Sequence, residues 1–212
     1  MTLFTVASAV ADEIGSPALS GVVSTSNSLY GTTANDLVGT GVTALLNGNY
    51  VVSSLQWSNG ATAQVGAVTW ANGVSGLTGA VSTSNSLYGS TANDRVGIGG
   101  VTALPNGNYV VNSYAWSNGA TSQVGAVTWA NGANGLAGAV STSNSLYGTT
   151  ANDRVGGGGV TALSNGNYVV SSLQWSNGAT LRVGAVTWPL VTVAAVRGHL
   201  ARNTCSTTMN NN

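Results

Sequence analysis

The chain has 212 residues, of which five are Asp or Glu and five are Arg; Lys is absent and the formal net charge is zero. That is far below the roughly 25% charged share of an ordinary soluble domain, and it leaves no electrostatic footprint for a nucleic-acid partner. No run of about 18 apolar residues exists, so no transmembrane helix is expected.

Uncharged polar residues with abundant glycine fit a secreted or cell-surface β protein better than a cytosolic enzyme, so an extracellular or surface location is expected. Regularly placed Val, Leu, Trp and Tyr oppose disorder. Cys205 is the single cysteine, which excludes an intrachain disulfide and a cysteine metal cluster.

In chain order, residues 1–17 form an N-terminal segment that matches the rest poorly. Met1–Ala11 (MTLFTVASAVA) is apolar and rich in small residues like a signal peptide, but it is short and lacks a basic start. A first strand is the plainer expectation.

From residue 18 the chain is a tandem array. Ala18–Val23 (ALSGVV) aligns with Gly76–Val81 (GLTGAV) and Gly135–Val140 (GLAGAV), and STSNSLYG recurs unchanged at Ser24–Gly31, Ser82–Gly89 and Ser141–Gly148. Self-similarity of this kind outranks any local reading. The array spans 18–188, with copies at 23–80, 81–139 and 140–188. One residue of length difference falls in a glycine stretch, Val38–Val42 against Val96–Val101, which marks a tolerant loop or bulge.

Each complete copy carries three Asn-Gly dipeptides, at Asn47-Gly48, Asn59-Gly60 and Asn72-Gly73 in the first. Asn-Gly accepts the positive φ of two-residue hairpin turns. Three turns predict four strands: Val42–Leu45, Asn49–Trp57, Gln64–Trp70 and Ala80–Tyr88. The second strand has apolar groups on both faces, so its sheet is expected to be covered on both sides. A four-stranded antiparallel unit repeated every ~59 residues predicts an all-β fold of propeller blades. A β-solenoid (a parallel β-helix) is the alternative, and the hairpin turns count against it.

The order of features resembles the FG-GAP repeat of integrin-α-like propellers. Asp94-Arg95-Val96-Gly97 is similar to that repeat's opening, Val101–Leu104 to its inner strand, Tyr109–Ser113 to its second strand and Gly125–Trp129 to its third. The family's calcium loop is rich in carboxylates, whereas LLNGNY, LPNGNY and LSNGNY here contain none. No calcium site or other metal is therefore expected, and no cofactor. NGNYVV with GAVTW and SNSL also resembles repeats of large bacterial surface proteins of the filamentous-haemagglutinin type, which implies an adhesin.

Catalytic chemistry is thin. His199 is the one histidine, in the tail, and Asp36, Asp94 and Asp153 occur one per copy. Separated copies would not pair carboxylates for acid–base work, so each Asp is expected to cap a turn through backbone N–H groups. Arg95 and Arg154 follow two of them, but Leu37 follows the third. Trp70, Trp129 and Trp188 are expected to pack between blades. Trp57, Trp116 and Trp175, with Tyr50, Tyr109 and Tyr168, adjoin turns; besides packing, they are the candidate platforms for a glycan or other surface ligand.

At Trp188 the pattern stops, and the divergent tail 189–212 holds two of the five arginines, the histidine and the cysteine. A frameshifted or truncated frame is the expectation, with a capping segment as the alternative. An open stack of blades would self-associate through its edges. The residues together predict a non-enzymatic structural or adhesive repeat protein of a bacterial surface. A carbohydrate-binding, lectin-like module is the alternative, and a hydrolase a distant third.

Overall fold

The computed structural model describes residues 20–188. The N-terminal reading of Met1–Ala11 and the tail 189–212 lie outside the described residues. Within them the chain is all-β, with tandem repeats and no helix, and so with no helix long and apolar enough to cross a membrane.

β1 (Leu29–Tyr30) is followed by the first full sheet. Its strands are β2 (Gly41–Ala44), β3 (Tyr50–Ser54) and β4 (Ala67–Ala71), then the short β5 (Gly79–Ala80) and β6 (Ser86–Tyr88). The second repeat follows the same order with β7 (Val101–Ala103), β8 (Tyr109–Ser113), β9 (Ala126–Ala130), β10 (Gly138–Ala139) and β11 (Ser145–Tyr147). The third contributes β12 (Gly159–Ala162), β13 (Tyr168–Ser172) and β14 (Ala185–Thr187).

Within each repeat the ladder is antiparallel. β2 pairs β3, β3 pairs β4 and β4 pairs β6, and β7–β8–β9–β11 repeats the arrangement. Register is identical between copies: Val51 faces Trp70 in one and Val110 faces Trp129 in the next. The short strands do something else. β5 pairs in parallel with β1, and β10 with β6, so each repeat lends two residues to the edge of the sheet before it.

The three Asn-Gly dipeptides have three different roles, which corrects the expectation of three two-residue hairpins. Between β2 and β3, Gly48 N–H donates to Leu45 O (3.1 Å) and Leu45 N–H to Asn49 O (2.8 Å), with Gly48 at φ 84°. That is a longer loop, a turn followed by a glycine bulge. At Asn59-Gly60 the two turn residues are Gly60 and Ala61, with Gly60 at φ 57° and Asn59 flanking them, bonded both ways to Thr62. This turn caps a small excursion inside the long β3–β4 loop. Asn72-Gly73 closes no hairpin: Asn72 O accepts the Gly76 N–H (2.8 Å), and the chain leaves for β5. The expected strand over Ala80–Tyr88 likewise shortens to β6. Asn85 knots the residues before it into a turn, taking the Ser82 N–H on Oδ1 and donating from Nδ2 to Ala80 O.

The core lies between sheets. β8 shows how: Tyr109 and Val111 point to the first sheet and join Val51, Val68 and Leu87, whereas Val110 points the other way and joins Tyr168 and Val170. A strand has a side-chain period of two, so alternate residues feed opposite cores. The coverage of both sheet faces expected from the sequence is present. The third sheet is the exception: Val186 is 62% exposed where its equivalents Val68 and Val127 are buried, and Trp188 is 65% exposed.

Two asparagine–glycine contacts knit the repeats at their loop ends. Asn49 Oδ1 accepts the Gly73 N–H of its own repeat (3.1 Å), while its Nδ2 donates to Gly132 O of the next (2.9 Å). Trp70 Nε1 donates to the same carbonyl (2.8 Å). Gly132 also sits so close to the Gly107 carbonyl that a Cβ would overlap it. Its φ is not positive, so the constraint is space and not backbone conformation. Gly132→Ala is expected to destabilise the fold by about 1–3 kcal/mol, the cost of overpacking, which a denaturant melt would read.

Candidate functional site

Each repeat has one carboxylate, and it is buried: Asp36 is 3% exposed, Asp94 and Asp153 0%. Asp94 Oδ2 accepts the backbone N–H groups of Ser90 (3.0 Å) and Thr91 (2.8 Å), and Oδ1 accepts that of Ser117 (2.9 Å). Asp36 does the same with Thr32, Thr33 and Ser58, and Asp153 with Thr149, Thr150 and Ser176. The turn-capping role expected of these residues is what the structure shows, with an addition. Ser90 and Thr91 follow β6 of the first sheet, whereas Ser117 belongs to the β8–β9 loop of the second, so the carboxylate also joins successive sheets.

The loop holding Asp94 is itself laid along the β3–β4 loop of the first sheet. Asn93, Arg95 and Val96 N–H groups donate to Ala63, Gln64 and Val65 carbonyls. To follow this path Asn93 and Arg95 take φ 67° and 45°, and Gln64 takes 52°. Left-handed backbone is mild for Asn and costly for Arg and Gln. Arg95 recovers part of that cost by donating Nε (3.2 Å) and Nη2 (2.7 Å) to Gln64 Oε1, and Arg154 bonds Gln123 in the same way. Gly89 leaves room for the carboxylate, because a Cβ there would collide with Asp94.

Burial pushes the Asp94 carboxyl above its ordinary value, and the hydrogen bonds from Thr91, Ser117 and Ser90 pull it back only in part. Every donor is positioned for a charged or lone-pair-bearing oxygen. Asp94→Asn sets an amide NH2 against at least one backbone N–H and leaves it unsatisfied, so a loss of about 1–3 kcal/mol is expected. A melt of the variant beside the parent protein checks this.

The candidate ligand residues are placed mostly inside. Trp57 and Trp116 are 3% and 2% exposed, Tyr109 and Tyr168 1% and 4%. Tyr50 and Trp175 are half-buried. Trp57 meets Tyr88 edge-on, with ring centroids 6.3 Å apart. The indole N–H groups of Trp57 and Trp116 are buried without a hydrogen-bond partner among the described residues. Four of the six rings therefore present no face on which a sugar could stack, and they serve the cores between sheets instead. Trp70 and Trp129, expected to pack between blades, are half-buried and pack against the cores between sheets.

Burial raises the phenols of Tyr109 and Tyr168 to about 12. An unfolded tyrosine ionises near pH 10. The folded state thus holds these protons after the unfolded state has released them, and stability falls as pH rises from about 10 to 12. Tyr109→Phe should flatten that fall, which chemical melts across the window would measure.

One cavity lies between the first and second repeats, of about 360 Å³. One wall is the stretch after β4, with Trp70, Asn72, Ser75 and Leu77. Ser84 and Asn85 line it as well, and the far wall, from the second repeat, carries Asn134, Leu136 and Ala137. Sequence reasoning missed this site because its residues lie some 60 positions apart and Trp70 read as packing; the signal was the Ser75-to-Asn134 change between copies. Among the described residues no group of three or more His, Cys, Asp or Glu could hold a metal.

No curated protein matches the chain significantly in sequence. A family described as a repeat of unknown function (DUF5650) matches it at residues 4–40, 44–98, 103–157 and 162–199. Its frame runs from the first strand of one sheet to the aspartate turn before the next, about a third of a unit away from the copies counted on STSNSLYG. The FG-GAP likeness does not emerge from these matches. With most of its length covered by four such repeats, the chain belongs to the DUF5650 repeat family.

Proposed function

We propose that this chain is a non-enzymatic structural or adhesive repeat protein of a bacterial extracellular surface, built from propeller-type blades of the FG-GAP kind. The observation that carries the reading is the direction of its polar chemistry. Each repeat's carboxylate is held by three backbone amides, and Asn49 in the first repeat and Asn106 in the second donate to glycine carbonyls of the repeat that follows. What faces outward is a repeated lattice of Ser, Thr and Asn, suited to contact over an area and not to chemistry at a point.

Two observations support blades. The short first strands β2 and β7, and β7 and β12, touch between repeats, as inner strands near an axis would. Among the described residues, parallel pairing is confined to the two-residue pairs β5–β1 and β10–β6, which favours antiparallel blades over a solenoid. A lectin-like module stacking sugars on Trp57, Trp116, Tyr109 and Tyr168 draws no support from their burial.

Beads coated with the purified chain test the role. Adhesion to cultured epithelial or bacterial cells above that of albumin-coated beads is the expected outcome, together with release of the protein from intact producing cells by external protease. Beads that adhere to neither cell type would sink the adhesive role.

A further inference from the structure

We propose that the cavity between the first two repeats is a binding site for an uncharged glycan. The inference rests on the adhesive reading and gives the adhesive surface a chemistry. Its lining combines an indole (Trp70), a leucine at each side (Leu77, Leu136) and amide or hydroxyl groups (Asn72, Ser84, Asn134). No ionisable side chain is among the lining residues. An anionic or cationic ligand would leave water here with no counter-charge to receive it, which costs more than neutral polar contacts return. A pyranose has what this lining matches: an apolar C–H face for the aromatic and aliphatic groups, and hydroxyls that both donate and accept.

The polar groups divide into those that hold the site and those left for a ligand. Asn85 is largely committed, with Oδ1 accepting from Ser82 N–H and Ser86 Oγ and Nδ2 donating to Ala80 O. Asn72 Oδ1 takes the N–H groups of Val74 and Ser75, which fixes the side chain and leaves its Nδ2 as a donor. Asn134 is exposed, with no side-chain hydrogen bond among the described residues, and supplies both a donor and an acceptor. Trp70 is fixed by its Nε1 bond to Gly132 O and by the close approach of Gly135 to its Cβ and Cγ. An aromatic ring already immobilised loses little entropy when it is stacked upon. At about 360 Å³ the cavity is in the lower part of the range ligand pockets occupy, roughly 300–1,000 Å³. One or two sugar rings fit that size.

Trp70 also packs against the core, so its truncation would confuse binding with folding. Ala137 is exposed on the far wall and makes a cleaner entry point; its counterpart in the first repeat is Thr78, exposed and outside this cavity. The experiment presents the purified full chain to an array of neutral gluco-, galacto-, manno- and N-acetylglucosamine oligosaccharides, with sialylated and sulfated ones alongside. Calorimetry follows with the best-retained neutral oligosaccharide. Expected are retention of neutral glycans, at least a tenfold weaker affinity for Ala137→Tyr, and unchanged affinity for Thr78→Tyr, with both variants melting like the parent. Should Ala137→Tyr melt lower, Ser84→Tyr, at another exposed lining position, is read in its place.

The proposal is overturned by an array on which no neutral glycan is retained, by retention of charged glycans alone, or by a filled-cavity variant that binds like the parent. The bead assay separates the two readings. Beads that adhere while the array stays blank remove the glycan site and leave the adhesive role. A positive array with beads that do not adhere keeps the site and removes the role.

Discussion

A carboxylate inside the protein with only backbone amides for company is the constraint from which the repeat is built. Desolvating a charge is costly unless its lone pairs are filled. Here each oxygen has a donor, two on one and one on the other, and the donors come from segments attached to two different sheets. The geometry forces the rest of the loop. Asn93 and Arg95 must turn left-handed on either side of Asp94, Gly89 must lack a side chain, and the loop must run against Ala63–Val65. One interaction thus sets the spacing between sheets, which is why it recurs with nearly the same distances at Asp36 and Asp153.

Spacing alone would not hold the sheets together. Each has two apolar faces of different character: Val51, Val68 and Leu87 on one side of the first sheet, Ala67 and Trp57 on the other. The bulky face of one sheet meets the Tyr- and Ala-bearing face of the next, as with Val68 and Leu87 against Tyr109, Ala126 and Ala130. No sheet is covered by its own repeat. Stability therefore resides in the interfaces, as nearest-neighbour terms, and a single repeat cut from the array would expose half its core.

This division explains what could be read from the sequence and what could not. The strands of YVVSS and AVTWA, their order and their two-sided burial were legible, because β-branched runs at a fixed period report local structure directly. The aspartate turns were legible for the same reason: Asn-Asp is local chemistry. The Asn-Gly dipeptides misled because positive φ at glycine is shared by a bulged loop, a two-residue turn and other turns, and only partners far along the chain choose among them. Gly73 shows the limit most clearly. It is needed for its closeness to the Gly48 carbonyl and not for a hairpin. The parallel β5–β1 pair and the cavity are contacts between repeats, so no window of one repeat contains them. The burial of Trp57, Trp116, Tyr109 and Tyr168 was not legible, because periodicity places a ring beside a turn without saying which way it points.

The same reasoning bears on where function can reside in such an array. Positions that differ between copies cannot belong to the shared interfaces, or the interfaces would differ too. Asn112 tests this, since it replaces Ser53 and Ser171 yet is buried. It is accommodated by donating Nδ2 to Gly156 O (2.8 Å), at the cost of an Oδ1 with no partner among the described residues. A buried difference therefore carries a penalty. Ser75 against Asn134, by contrast, is exposed in both copies. Such a change leaves the stacking untouched while altering the wall of a cavity between repeats. An array of this construction can vary its inter-repeat grooves one side chain at a time without renegotiating its fold. Several weak, non-identical grooves on one rigid stack would then bind an extended partner far more tightly than any one of them.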